Sequence, residues 1–218
     1  MNSAVMTLEE VIAAMVPAAQ AGQLVVRLHT GDPSVYGAHR EQMDLLKSYN
    51  LDYEIVPGVS SFCAAAASLK AEYTLPEVSQ SVIITRMEGR TGVPAKQKIK
   101  DYARHHATMV IFLSAGMLEK LQKELISGGY KAEEPAAIVY KASWPDEKIF
   151  HCTVGTLAET AEANQIKNLA LITVGGFLGT AYERSELYNP TFETGFRKAD
   201  TSKLKIKPYK RARQKTEE

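Results

Sequence analysis

The hydrophobic positions follow two periods. Val11, Ile12, Met15 and Val16 recur at helical spacing behind Thr7, and Thr7 with Glu10 has the capping-box pattern, so a helix is predicted to begin at Leu8. Pro17 is expected to kink or end its regular part, and Gly22 to stop it. Residues 23–28, short, apolar and rich in strand formers, then predict a strand. The alternation continues. After a break at Thr30 come a helix over 38–49 with Met43 and Leu46 inward and a strand over 52–56. A turn at Pro57 and Gly58 follows, then an alanine-rich helix to Leu69 capped by Ser60 or Ser61.

Periodicity lapses at Leu75, Pro76 and Glu77, which places a domain boundary there. Apolar runs at 82–85, 109–113, 136–140, 149–152 and 170–174 then predict strands, with helical patterns at 95–104, 118–126 and 157–163 between most of them. Continuous apolar strands alternating with amphipathic helices imply buried, largely parallel sheets with helices on their faces. The fold class is α/β, with two α/β domains at 1–76 and 77–185 and a tail at 186–218.

Charge changes this picture only at the end of the chain. The 218 residues hold 26 Lys and Arg against 25 Asp and Glu, which argues against a uniformly basic nucleic-acid binder. Residues 197–218 hold nine Lys and Arg against three acids, so the tail is basic, predicted to be flexible, and the body mildly acidic. No apolar stretch approaches the roughly 20 residues that span a bilayer, and the start lacks the pattern of a secretion signal, so no membrane partner is expected. Cys63 and Cys152 have neither disulfide-framework nor metal-ligand spacing. They are expected to be buried small apolar residues in a cytoplasmic protein without a metal site.

In sheets of this kind ligands bind beyond the carboxyl ends of the strands. That rule selects the loops 30–37, 57–61, 86–94, 114–116, 141–147 and 175–179. Taken alone, Gly31, Asp32 and Pro33 read as a turn, and the Pro57 to Ser61 segment as a helix cap. Together, LHTGDPSVYG from Leu28 and EIVPGVSS from Glu54 resemble the tetrapyrrole methylase family, which uses S-adenosylmethionine. TRMEGRTGVP from Thr85 and VYKASWPDEK from Val139 look like the subgroup that methylates carbon 11 of precorrin-4 or cobalt-precorrin-4 in cobalamin biosynthesis. The resemblance spans about residues 6–176.

It implies two α/β domains with the cofactor cleft between them, and a homodimer. The family opens with a strand and a loop of GxGPGDP type that does not occur here, so the first domain is expected to be partial. Thr30, Gly31, Asp32, Val35, Ser60 and Ser61 would line the methionine end of the cofactor, and Leu113, Ser114, Tyr140 and Ala142 the adenosine. Asp32 would also be the candidate catalytic residue, orienting the charged end of the cofactor or assisting proton removal. The substrate resembles a plate bearing acetate and propionate groups, which calls for cations around an apolar floor. Arg27, His29, Arg40, Arg86, Arg90 and Lys141 lie in or beside the selected loops, and His29, Arg86 and Arg90 are favoured. Trp144 is a candidate cover for the macrocycle. The alternatives are methylation of another ring carbon and an inactive fragment that only binds ligand.

Overall fold

The computed structural model describes residues 1–183, 185–200 and 202. The basic tail positions Lys203, Lys205, Lys207, Lys210, Arg211, Arg213 and Lys215 lie outside them. The chain divides into two compact units, Met1–Ala64 and Ala65–Glu218.

In the first unit, α1 (Leu8–Gln20) begins as its sequence predicts. Thr7 Oγ1 accepts the Glu10 N–H at 3.3 Å and Glu10 Oε2 accepts the Thr7 N–H at 2.7 Å, so two amides that the helix leaves orphaned are satisfied reciprocally. The helix runs on past Pro17 to Gln20, because proline removes a single bond to the preceding turn and here the helix needs only three more residues. Val11, Ile12 and Val16 are its buried stripe, and α2 (Arg40–Ser48) packs beside it.

The two strands expected in this unit do not form. Residues 23–28 and 52–56 carry no regular secondary structure and join no ladder among the described residues, and Leu24, Val26, Leu28 and Val56 are exposed. Apolar, β-branched composition makes a segment fit for a strand, but only a hydrogen-bonded neighbour makes it one.

The second unit carries a sheet of β1 (Val82–Arg86), β2 (Thr108–Phe112), β3 (Pro135–Tyr140), β4 (Lys148–Thr153) and β5 (Ala170–Val174), in spatial order β1-β2-β5-β3-β4. The α/β class is as expected, whereas the largely parallel sheet is not. Only β1 and β2 pair in parallel, and β5 runs antiparallel to both β2 and β3. Period-2 alternation sorts the three central strands, β2, β5 and β3, between two covered faces. Met109, Ile111, Ala136, Ile138, Ile172 and Val174 face a core closed by Leu121 and Leu125 of α5 (Leu118–Ser127), Leu157 of α6 (Leu157–Ala163) and Ile99 of α4 (Ile99–Ala103). The alternate positions Val110, Ala137, Val139 and Thr173 are buried on the opposite face. Thr108, at the start of β2, donates its hydroxyl to Tyr73 O and its amide to Ser79 Oγ, so residues 73–79 pack on this unit.

Helix α3 (Ser61–Leu69) crosses the division of the chain. It exposes Cys63 rather than burying it, because Ala65 and Leu69 take its inward positions.

Candidate functional site

In the first unit the two glycine loops meet main chain to main chain. Asp32 ties them together: Oδ1 accepts the Ser34 N–H at 2.8 Å and also the Ser34 hydroxyl, while Oδ2 accepts the Gly58 N–H at 2.8 Å. These donors, the Ser34 hydroxyl foremost and then the Gly58 amide, hold the Asp32 carboxyl below the usual range, so it stays ionised. A Cβ on Gly58 would lie 2.2 Å from Gly31 O, an overlap of backbone that no rotamer relieves. Gly31 itself has φ +65°, and a Cβ there would touch Ser60 Cα at 3.4 Å. Thr30, Gly31, Asp32, Ser60 and Ser61 therefore sit together, with Val35 one turn on from Asp32, whose carbonyl accepts its amide. A cradle of main-chain groups beside one fixed anion suits a cationic ligand gripped through its polar atoms.

His29 precedes this loop, its ring 5.6 Å from that of His39. Burial first, then the charges of Arg27 and His39, push its pKa below the ordinary histidine value. It is consequently a neutral hydrogen-bonding group near pH 7.

In the second unit, strand direction decides which loops converge. β1, β2 and β3 point the same way, so residues 87–94, 113–117 and 141–147 leave one edge of the sheet together. The loop 175–179, expected among them, lies at the opposite edge. Gly175 donates to Pro135 O at the start of β3, and its Cα faces Thr108 at the start of β2, because β5 runs the other way.

At the convergent edge Leu113 has φ +52° and is 70% exposed, a left-handed leucine presented to solvent. Ser114, expected to hold adenosine, is fully buried. Its hydroxyl donates to Phe112 O at 2.6 Å and accepts the Met87 N–H at 2.9 Å, stitching the ends of β1 and β2. Tyr140 and Ala142 flank Lys141, whose amide bonds Leu169 O at 2.8 Å. Lys141 Nζ pairs with Asp146 Oδ2 at 2.5 Å and lies 5.2 Å from the Tyr140 ring and 5.4 Å from the Trp144 ring. Glu147, which sequence reasoning passes over, accepts from Ser143 N and Ser68 Oγ and fixes this loop. Its only signal is an acidic residue closing a loop that follows a strand.

The candidate cations separate on geometry. Arg40 pairs with Asp44 at 3.1 Å, and Arg27 donates to Gln42 Oε1, Ser3 Oγ and Leu28 O. Lys141 is held by Asp146, and Arg86 by three carbonyls of its own loop. Arg90 is exposed and makes no hydrogen bond or ion pair with any described residue.

Comparison with known proteins identifies the family. The family profile described as Tetrapyrrole (Corrin/Porphyrin) Methylases matches residues 2–158. A cobalt-precorrin-4 C(11)-methyltransferase of Methanocaldococcus jannaschii is 56% identical over 199 residues, covering 91% of this chain and 77% of that protein. The enzyme of the same name from Priestia megaterium is 47% identical, covering 91% and 78%. Among solved structures, that of a cobalt precorrin-4 methyltransferase, a cobalamin biosynthetic enzyme, superposes with a TM-score of 0.80 at 47% identity, over 82% of this chain and 75% of that one. A uroporphyrin-III C-methyl transferase from Thermus thermophilus, solved with S-adenosyl homocysteine, gives 0.65 at 27% identity, covering 78% and 74%. The chain belongs to the tetrapyrrole (corrin/porphyrin) methylases.

Proposed function

We propose that the chain transfers a methyl group from S-adenosylmethionine to carbon 11 of cobalt-precorrin-4. The observation that carries this reading is the gradient of identity. It stands at 56% and 47% to two enzymes named for the cobalt substrate, 40% to enzymes named for precorrin-4, and 27% to a methylase named for uroporphyrin-III.

The residues present fit this cofactor. S-adenosylmethionine supplies an electrophilic methyl on a sulfonium, and its transfer to a nucleophilic ring carbon leaves S-adenosylhomocysteine. The Asp32 carboxylate, ionised and fixed between two loops, offers a counter-charge to a sulfonium. The main-chain groups of Thr30 and Gly31, with Val35, Ser60 and Ser61, bind the methionine end. Leu113, Tyr140 and Ala142 bind the adenosine, with the buried Ser114 fixing the ends of β1 and β2 beside them. Its donors hold the Asp32 carboxyl below the usual range, which makes it a weak base, so its part is orientation rather than proton transfer. The chain needs no nucleophile of its own. Alignment of the reacting carbon with the methyl group contributes about 7–11 kcal/mol in favourable intramolecular cases.

On the substrate side, Arg90 alone of the candidate cations named above has no partner among the described residues and can meet a carboxylate, and neutral His29 donates or accepts a hydrogen bond. The reading includes a cytoplasmic homodimer. Two unpaired cysteines agree with a reducing compartment, and the exposed Leu24, Val26, Leu28 and Val56 agree with self-association. No helix among the described residues is long and apolar enough to cross a membrane.

The test is incubation of the purified chain with S-adenosylmethionine carrying a carbon-13 methyl and with cobalt-precorrin-4. One labelled methyl at carbon 11 is expected by NMR of the product. A label at another ring carbon would move the chain to a sister activity, and cofactor binding without transfer would reduce it to a binding module.

A further inference from the structure

Arg86 closes the loop that carries Arg90. It is the last residue of β1, an edge strand whose only ladder partner among the described residues is β2, so among them the chain leaving it has sheet support on one side alone. From there Nη1 donates to Met87 O at 3.1 Å and to Thr91 O at 3.2 Å, and Nη2 donates to Gly92 O at 2.8 Å. One planar group thus bridges the first residue of the loop to its fifth and sixth. Within the ring so formed, Gly89 donates to Thr91 O at 3.3 Å and sits against the Met117 side chain. Arg90 is left at the tip, exposed and without a partner among the described residues.

A guanidinium suits this task because its donors lie in a fixed fork, whereas a lysine ammonium is a point charge on a flexible stem. A loop not closed in this way would have to be ordered each time it engaged a ligand, which weakens binding at the tip without touching distant contacts.

We propose that Arg86 is a positioning residue for substrate recognition, holding residues 87–92 so that Arg90 meets a carboxylate of the tetrapyrrole. This rests on the reading of Arg90 as the candidate cation that meets the substrate. The sequence pattern favours both arginines as substrate contacts, and the geometry divides the work between them.

Steady-state kinetics of Arg86→Ala, Arg86→Lys, Arg90→Ala and the Arg86→Ala/Arg90→Ala double variant, with each substrate varied in turn, test it. Arg90→Ala and Arg86→Ala are each expected to raise KM for cobalt-precorrin-4 about tenfold or more, the size of one lost charge-assisted contact. KM for S-adenosylmethionine should not change, Arg86→Lys should recover little, and the double variant should be no worse than Arg90→Ala. If Arg90→Ala raises KM and Arg86→Ala does not, the positioning role is wrong and the clamp stands. If Arg90→Ala has no effect, the clamp itself is wrong. Should Arg86→Ala fail to fold, Arg86→Lys alone and combined with Arg90→Ala decides: additive effects overturn the proposal, and a double variant equal to Arg90→Ala supports it.

Discussion

Ser114 and Thr173 are both buried hydroxyls of the second unit, and their surroundings assign them opposite contributions to stability. The Ser114 hydroxyl is used twice, toward Phe112 O and from Met87 N, so Ser114→Ala leaves a buried amide without an acceptor. A loss of about 1–3 kcal/mol is expected. Thr173 Oγ1 is the one buried side-chain polar atom among the described residues with no partner, so Thr173→Val removes an uncompensated group at constant shape and should raise the melting midpoint. Thermal unfolding of the two variants side by side checks both signs, and a Thr173→Val protein less stable than the parent would contradict the assignment. His29 adds a pH dependence. Its folded-state pKa is lowered by burial, Arg27 and His39, so the unfolded chain takes up the proton first as pH falls. The stability contributed by neutral His29 is therefore complete above about pH 6.5 and declines as pH drops below that value through the folded-state pKa. Unfolding free energies measured across this window should fall more steeply for the parent than for His29→Gln, and parallel curves would remove His29 from the account.

At the scale of elements, the sequence is most legible where a single segment decides its own conformation. The capping box at Thr7 and Glu10 predicts the start of α1 at the right residue because the cap is local chemistry. The five apolar runs of the second unit all become strands, and in β2, β3 and β5 burial on two faces requires apolar residues at successive positions. Direction is another matter. The run 170–174 is equally apolar read either way, and whether it lies parallel or antiparallel depends on which neighbours it meets. For that reason the loop 175–179, selected from the sequence with the others, lies at the opposite edge, while the loops selected at 86–94, 114–116 and 141–147 do leave one edge together. The loops of the first unit are legible as a motif, but not the reason for it: Gly58 is glycine because Gly31 O leaves no room for a Cβ, and Asp32 is aspartate because it has three donors to satisfy. The inward use of Arg86 and Ser114 leaves no trace in the spacing, because their partners are backbone groups that every residue carries.

For the molecule as a whole, the two units differ in how their backbone groups are satisfied. The second has a five-stranded ladder and a core in which Met109, Ile111, Leu121, Leu125, Ile138, Leu157 and Ile172 are fully enclosed. Opening it exposes all of that surface at once, so its central amides should exchange only through large, costly fluctuations. The first unit has helices with a small buried stripe on α1, and its segments 23–28 and 52–56 contribute no ladder bonds among the described residues. Amides there can reach water through local motion. Hydrogen exchange followed by mass spectrometry is thus expected to show slow amides in β2 and β5 and fast amides over 24–28 and 53–56, with the loop held by Asp32 and Gly58 between these extremes. Cofactor binding should act on this pattern selectively. If main-chain groups around Gly31 and Ser60 grip the cofactor, S-adenosylhomocysteine should slow exchange over residues 30–35 and 58–61 while leaving β2 and β5 as they were, because mass action stabilises most what opens most readily without ligand. Equal protection of both units in the free protein would mean that residues 23–28 and 52–56 find strand partners in solution, and the contrast between a laddered and an unladdered unit would fall with it.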